Sequence, residues 1–312
     1  MPRRVTIAGV GLIGRGWAAA FARAGWSVAL WDRDPDVLPR AEAAVRASLS
    51  DMASLGLGPD ARAAEIRGHA DLADALAGAD YVQENAPEDR DAKAALFAEL
   101  DRLATAAAPI GSSTSTIVGS RFLADLPGRA RCMVAHPANP PHLMPVVELV
   151  PSPWHTAADI AAFVEVLSGI GQVPVVLRRE IEGFVMNRLQ TAVVNEAIAL
   201  VAAGVIDPAG LDAVMKHSLG LRWALMGPFE TMDMNAPSGF LDYARRYGRY
   251  YEAMGRDLTV ANDWPDDTLR AIEAARRSHT PAEAISGRMQ WRDRALMRLL
   301  ALKNSITEGD GA

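Results

Sequence analysis

The feature that most restricts this chain is Gly9-Val10-Gly11-Leu12-Ile13-Gly14, a glycine turn set between a short apolar run, Val5 to Ala8, and an alanine-rich helical pattern from Ile13 to Ala24. Strand, turn and helix in that order form a cradle for a pyrophosphate. Gly9 permits the tight turn, Gly11 lets the phosphates approach the backbone, and Gly14 allows the helix to pack closely on the strand. The helix start at Leu12 and Ile13 then presents its unpaired N–H groups and the positive end of its dipole to the ligand.

About twenty residues beyond the turn, a second apolar run, Ser27 to Trp31, ends in Asp32, where a carboxylate accepts hydrogen bonds from the adenosine ribose hydroxyls and repels a 2′-phosphate. That favours NAD as the cofactor. Arg33 beside it leaves a second possibility open, because a guanidinium stacks on adenine or meets the extra phosphate of NADP.

Further short apolar runs at Tyr81–Glu84, Ile110–Ser113 and Cys132–His136 alternate with segments long enough for helices, such as Pro35 to Leu55 and Asp89 to Ala108. Such alternation predicts a doubly wound, mostly parallel sheet with crossover helices, an α/β Rossmann domain. After a last run, Val173 to Leu177, the pattern changes near Gly183. Val185, Leu189, Ala192, Val193, Ala197 and Leu200 recur at helical spacing, and Gly204, Pro208, Gly227-Pro228, Pro237-Ser238-Gly239, Pro265 and Pro281 punctuate the rest of the chain. The expected organisation is residues 1–180 as the NAD-binding domain and 181–312 as an all-α domain for substrate and dimerisation.

With 312 residues, the chain is long enough for two such cores. Its net charge of -6 and the lack of any Lys/Arg-rich run oppose a nucleic-acid partner. The longest apolar run, Ala197 to Ile206, is about half of the roughly 20 residues a membrane span requires. One cysteine, Cys132, within an apolar stretch, rules out an intrachain disulfide and suits a reducing cytoplasm.

Oxidation of a hydroxyl needs a base, a group that orients the base, and donors that hold the oxygen. His136 comes after the run Cys132 to Ala135, at the edge of an open α/β sheet where ligands bind, and histidine is a residue type suited to reversible proton transfer. Glu148, in Pro145-Val146-Val147-Glu148-Leu149-Val150, is a carboxylate among apolar residues and needs a partner, which His136 would supply. Ser112-Ser113-Thr114-Ser115 comes after another strand and offers hydroxyls, and Asn187 opens the first helix of the second half. Residue type alone leaves other readings for each: a structural histidine, an arginine partner for Glu148, a turn or cap for the hydroxyls, a helix cap for Asn187.

Together these residues resemble the 3-hydroxyacyl-CoA dehydrogenase superfamily from the glycine turn to about Asn235. The motifs are Gly9 to Gly14, Asp32, Gln83-Glu84-Asn85-Ala86-Pro87-Glu88, Ser112 to Ser115, His136-Pro137-Ala138-Asn139-Pro140, Val147-Glu148-Leu149, Gly183-Phe184-Val185-Met186-Asn187-Arg188 and Gly227-Pro228-Phe229-Glu230. The resemblance implies that His136 is the general base, that Glu148 orients it and stabilises its protonated form, and that Ser115 and Asn187 hydrogen-bond the substrate oxygens. It implies that Asn85 and Ala86 contact NAD, that Glu88, Lys93, Ser113 and Asn139 line the nicotinamide pocket, and that the protein is a homodimer through its helical domain.

Two departures point away from acyl-CoA substrates: Pro137-Ala138 stands where those members carry aromatic residues, and Ser113 where they carry asparagine. His136 to Pro151, Asn187 to Gln190 and Gly220-Leu221-Arg222-Trp223-Ala224 resemble the lambda-crystallin branch, that of L-gulonate 3-dehydrogenase, while Gln83 to Glu88 is also similar to L-carnitine dehydrogenase. A free 3-hydroxy acid needs a carboxylate clamp, for which Arg222 is the candidate. Three readings are open: a dehydrogenase of small free 3-hydroxy acids, one of their CoA thioesters, and a structural protein without turnover. The intact Ser115, His136, Glu148 and Asn187 set argues against the third.

Overall fold

In the computed structural model, residues 3–58, 65–258 and 264–309 are described. They form two compact units, one of residues up to Asn187 together with those from Arg292 onward, the other of Arg188–Trp291.

The first unit has the alternation read from the sequence: β1 (Arg4–Ala8), α1 (Leu12–Arg23), β2 (Ser27–Trp31), α2 (Leu38–Ser54), β3 (Ile66–Gly68), α3 (Leu72–Leu76), β4 (Tyr81–Glu84), α4 (Arg90–Leu103), β5 (Ile110–Ser112), β6 (Cys132–Pro137), β7 (Val146–Val150), α5 (Ala157–Gly169) and β8 (Val173–Val176). They make one eight-stranded sheet in the order β3-β2-β1-β4-β5-β6-β7-β8. All neighbours are parallel except β6 and β7. The strand order reverses between β1 and β4, which opens the ligand crevice beyond their carboxyl ends.

Six strands were expected and eight are present among the described residues. Ile66–Gly68 is too short to show a period of two. Val146–Val150 reads in sequence only as an apolar setting for Glu148, yet it is the antiparallel partner of β6.

Alternation along each strand sends side chains to two separate cores. Val5 and Ile7 of β1, Tyr81 of β4, Met133 and Ala135 of β6 and Leu149 of β7 join Trp17, Phe21 and Phe163 on one face. Ala8, Val82, Ile110, Cys132, Val134 and Val150 join Phe97, Phe122 and Phe184 on the other. Glu84, Ser112, His136 and Glu148 share the parity of the second set, so they emerge together over its edge.

Helix α1 reaches the sheet closely because Ala18 to Ala22 around Phe21 are fully buried and small. Trp17, Phe21, Tyr81 and Phe163 form a chain of ring contacts at 5.5–6.0 Å beneath it.

From Met186 the chain is helical, with no strand among the described residues: α6 (Met186–Ala202), α7 (Pro208–Val214), a π-helical turn (Met215–Leu219), α8 (Gly220–Trp223), α9 (Pro228–Met234), α10 (Phe240–Gly255), α11 (Asp266–His279) and α12 (Ile285–Gly309). The breaks fall at the glycines and prolines expected to make them. Asp207 caps α7 through the Gly210 N–H, with Pro208 in its first turn. Leu296, Met297, Leu300 and Ala301 of α12 pack on the first core of the sheet unit. No described helix is long and apolar enough to cross a membrane.

Candidate active site

The glycine turn is built as its spacing requires. Gly9 adopts φ +94°, and a Cβ on it would meet the Asn85 carbonyl oxygen at 2.8 Å, because the turns after β1 and β4 nearly touch at the strand-order reversal. A Cβ on Gly14 would overlap the Gly9 carbonyl oxygen. A Cβ on Gly11, by contrast, would meet nothing within 4 Å. Internal packing therefore explains Gly9 and Gly14, while Gly11 faces open space at the start of α1, next to Leu12 and Ile13, where a phosphate can lie against the backbone.

Asp32 stands just after β2 and does two local jobs, accepting the Val10 N–H at 2.9 Å on one oxygen and the Asp34 N–H at 3.1 Å on the other. It thereby ties the glycine turn to the end of β2. Arg33 is exposed beside it. These residues fit a dinucleotide.

His136 and Glu148 are directly opposite one another in the β6–β7 ladder. Cross-strand neighbours have Cβ atoms about 5 Å apart, so the register itself makes the pair. His136 Nδ1 lies 2.9 Å from Glu148 Oε2, and both side chains are buried. An ionised carboxylate only accepts, so Nδ1 is the donor in this pair, and Nε2 is the ring nitrogen left to exchange a proton with a ligand.

The second carboxylate oxygen, Oε1, accepts the N–H groups of Val185 at 2.8 Å and Met186 at 3.0 Å at the start of α6. Burial pushes the Glu148 carboxyl up, but the bond from His136 and those from Met186 and Val185 outweigh it and hold the group below the usual carboxylate range. The Phe184 ring, at 5.3 Å from the imidazole and fully buried, closes one side of it.

Asn187, next along α6, donates from Nδ2 to the Ser115 carbonyl at 2.7 Å. Ser115 and Asn187, 72 positions apart, are thus in contact, and Glu148 anchors the same helix start that carries Asn187. The segment around Ser115 is held on its other side by Glu88. Glu88 Oε1 accepts the Thr114 hydroxyl at 2.7 Å, the Thr116 hydroxyl at 2.9 Å and the N–H groups of Ser115 and Thr116, each at 2.9 Å.

The chain matches the model of the 3-hydroxyacyl-CoA dehydrogenase NAD binding domain over residues 4–181 and that of the 3-hydroxyacyl-CoA dehydrogenase C-terminal domain over residues 183–279. It is 40% identical to the lambda-crystallin homolog of Bos taurus across 98% of both chains. The chain belongs to the 3-hydroxyacyl-CoA dehydrogenase family. It is 33% identical to a 3-hydroxyacyl-CoA dehydrogenase of Gibberella moniliformis, over 97% of this chain and 96% of that one. Among solved structures it is similar to 5-formyl-3-hydroxy-2-methylpyridine 4-carboxylic acid 5-dehydrogenase, an NAD+-dependent dismutase, with a TM-score of 0.84, 28% identity, and coverage of 97% of this chain and 99% of the other. It is thus a member of an NAD-dependent oxidoreductase family, and NAD is its cofactor.

Within this member, the serine standing where the family's acyl-CoA enzymes carry asparagine is fully engaged. Ser113 Oγ accepts from Trp17 Nε1 at 3.0 Å and Gln83 Nε2 at 2.7 Å, and donates to Asn85 Oδ1 at 2.8 Å. One donor and two lone pairs are a hydroxyl's whole capacity. Asn85 Nδ2 is directed to the carbonyls of Gln83 and Ala8. Tyr81 and Gln83 complete this buried chain, and Gly111 is required beside it because a Cβ there would overlap the Tyr81 hydroxyl.

Ala86 donates its N–H to Glu84 Oε1, and Lys93 is buried at 1% exposure with its ammonium on the same oxygen at 2.9 Å. Asn139 is exposed, just after β6, and a cis peptide joins it to Pro140. Arg222 is exposed on α8 of the second unit.

The sequence reading missed Trp17, Glu84, Thr116 and Phe184. Glu84 and Phe184 lie inside quoted motifs, but a buried carboxylate in a strand and an aromatic at φ +52° carry no signal of their own partners. Cys132 is buried, and desolvation pushes its thiol up to about 12, which leaves it inert.

Proposed function

We propose that this protein oxidises the 3-hydroxyl of a small free 3-hydroxy acid with NAD, as L-gulonate 3-dehydrogenase does, and that His136 is the general base. The observation that carries this reading is the buried His136–Glu148 pair at the sheet edge, which engages Nδ1 and leaves Nε2 as the nitrogen that can take a proton. When bound, NAD supplies the hydride acceptor. His136 Nε2 takes the hydroxyl proton, and Glu148 holds the resulting imidazolium by its charge. Because Glu148 is anchored by two N–H groups at the start of α6, it does not reorganise as that charge appears. Ser115 Oγ and Asn187 hydrogen-bond the substrate oxygen and hold it for the transfer.

A free acid rather than a thioester is supported by Pro137-Ala138 and Ser113 at the two departures, and by the solved relative, whose name states a carboxylic acid substrate. Residue type and motif position make Arg222 the candidate for a bidentate carboxylate partner. The thioester reading has the fungal relative in its favour. Steady-state assays with NAD and L-gulonate, L-carnitine, L-3-hydroxybutyrate and 3-hydroxybutyryl-CoA separate them, and a large preference for the thioester would reject the free-acid proposal. Arg222→Met raises KM for the preferred free acid at least tenfold, as expected for loss of a charged bidentate contact. An unchanged KM removes Arg222 from the site.

The protein is also proposed to work as a homodimer. Leu221, Leu225, Phe229, Met234, Leu241 and Met254 are each more than half exposed on α8–α10, an apolar surface that a second copy would cover. Sedimentation equilibrium of the wild type is expected to give twice the chain mass, and Phe229→Glu with Leu241→Glu to give the monomer.

A further inference from the structure

The carboxyl edge of the sheet holds a second polar group besides the His136–Glu148 pair. Glu84, at the end of β4 and fully buried, accepts the Ser112 hydroxyl at 2.5 Å on Oε2, and the Ala86 N–H at 2.6 Å with the Lys93 ammonium at 2.9 Å on Oε1. Lys93, on the first turn of α4, also donates to the Ala86 carbonyl at 3.0 Å and lies 3.8 Å from Glu88 Oε2. An ammonium has three donors and a buried cation must be paired, so this arrangement commits Lys93 within the protein.

The other oxygen of Glu88 gathers the Thr114 and Thr116 hydroxyls and the N–H groups of Ser115 and Thr116, with Ser115 Oγ at 3.4 Å. Burial pushes the Glu88 carboxyl up, but the bonds from Thr114 and Thr116 and the nearby Lys93 charge outweigh it and hold the group below the usual carboxylate range. The Ser115 N–H is therefore held by Glu88 and its carbonyl by Asn187. With both of its own backbone polar groups fixed by side chains, Ser115 keeps chiefly the rotation of its hydroxymethyl group.

We propose that Glu88 is a positioning residue for Ser115, and that the buried Glu84–Lys93 pair holds Glu88 in place. The proposal rests on the reading above that Ser115 binds the substrate oxygen. Its physical basis is that misplacement of a contact group by about 1 Å can cost on the order of a hundredfold in rate.

Three variants test it: Glu88→Gln, Ser115→Ala and the two combined, each measured for kcat, KM and NADH affinity by fluorescence titration. Glu88→Gln is expected to lower kcat tenfold or more while NADH affinity stays within threefold. The double variant is expected to fall within threefold of Ser115→Ala alone, because Glu88 acts only through Ser115. In the free protein, amide exchange at Ser115 and Thr116 is expected to rise in Glu88→Gln with other segments unchanged.

A second route removes the buried pair together, as Glu84→Gln with Lys93→Met, so that no unpaired charge remains. It is expected to reproduce the kcat loss and the faster exchange of Glu88→Gln. A tenfold loss of NADH affinity at unchanged kcat, or losses that multiply in the double variant, overturns the proposal while leaving Ser115 in its role. If Ser115→Ala alone leaves kcat and KM intact, the reading of Ser115 itself fails, and the proposal with it.

Discussion

An imidazole with one nitrogen committed to a carboxylate can act as a base only through the other, and His136 Nδ1 is so committed because Glu148 is its cross-strand partner. His136→Ala is expected to keep NADH affinity within a few fold and to lose roughly a hundredfold or more in kcat, the range for loss of a general base. Retained turnover would remove His136 from that role. Asp32 ties Val10 to the end of β2, and we propose that it also accepts the ribose hydroxyls of NAD. Asp32→Ser keeps an acceptor but loses the charge that repels a 2′-phosphate. The ratio of kcat/KM for NADP over NAD is expected to rise at least tenfold, and an unchanged ratio would show that cofactor choice lies elsewhere, Arg33 included.

Turn and helix act together at the start of α1, where the three glycines of one motif have different physical reasons. Gly14→Ala drives a methyl into the Gly9 carbonyl, and overpacking of this kind costs about 1–3 kcal/mol. A lowered melting temperature and weakened NADH binding should appear together. Gly11→Ala meets no protein atom within 4 Å, so the melting temperature should hold while NADH binding alone weakens. Thermal melts and fluorescence titration of both variants check the contrast; a Gly11→Ala protein that binds NADH like the wild type would show that the phosphates do not approach there. Strand, turn and helix were all legible, because each depends on residues near in sequence. Strand β7 was not, since Val146 to Val150 carries apolar residues on both sides of Glu148 and shows no clear alternation. Family position gives Ser113 and Lys93 a place at the cofactor pocket; which hydrogen bonds they make inside the protein depends on Trp17, Gln83 and Glu84, residues that no local pattern links to them.

Across the whole sheet unit, α12 brings charge to a buried histidine. His142 lies in the loop after β6, where its Nδ1 has no hydrogen bond and faces the Gly16 backbone of α1. Burial pushes it down from 6.5 to about 4; Asp293 of α12 opposes the shift, and Arg23 of α1 with Arg292 of α12 adds to it. The folded form therefore binds this proton less readily than the unfolded chain. Its contribution to stability is fully present above pH 6.5 and is lost as pH falls toward 4, by about 3 kcal/mol in all. Melting temperatures of His142→Gln should fall less steeply than those of the wild type between those pH values, and equal slopes would acquit His142. Local residue order was enough to specify a glycine turn between strand and helix, the alternation of strands and helices, and the candidate residues at the strand ends, because propensity, period and turn chemistry act over a few residues. The pairing of His136 with Glu148 across an antiparallel ladder, the capture of the Ser115 backbone by Glu88 and Asn187, and the packing of α12 on the sheet unit arise from contacts between distant segments, whose register and burial exist only once the chain has closed on itself.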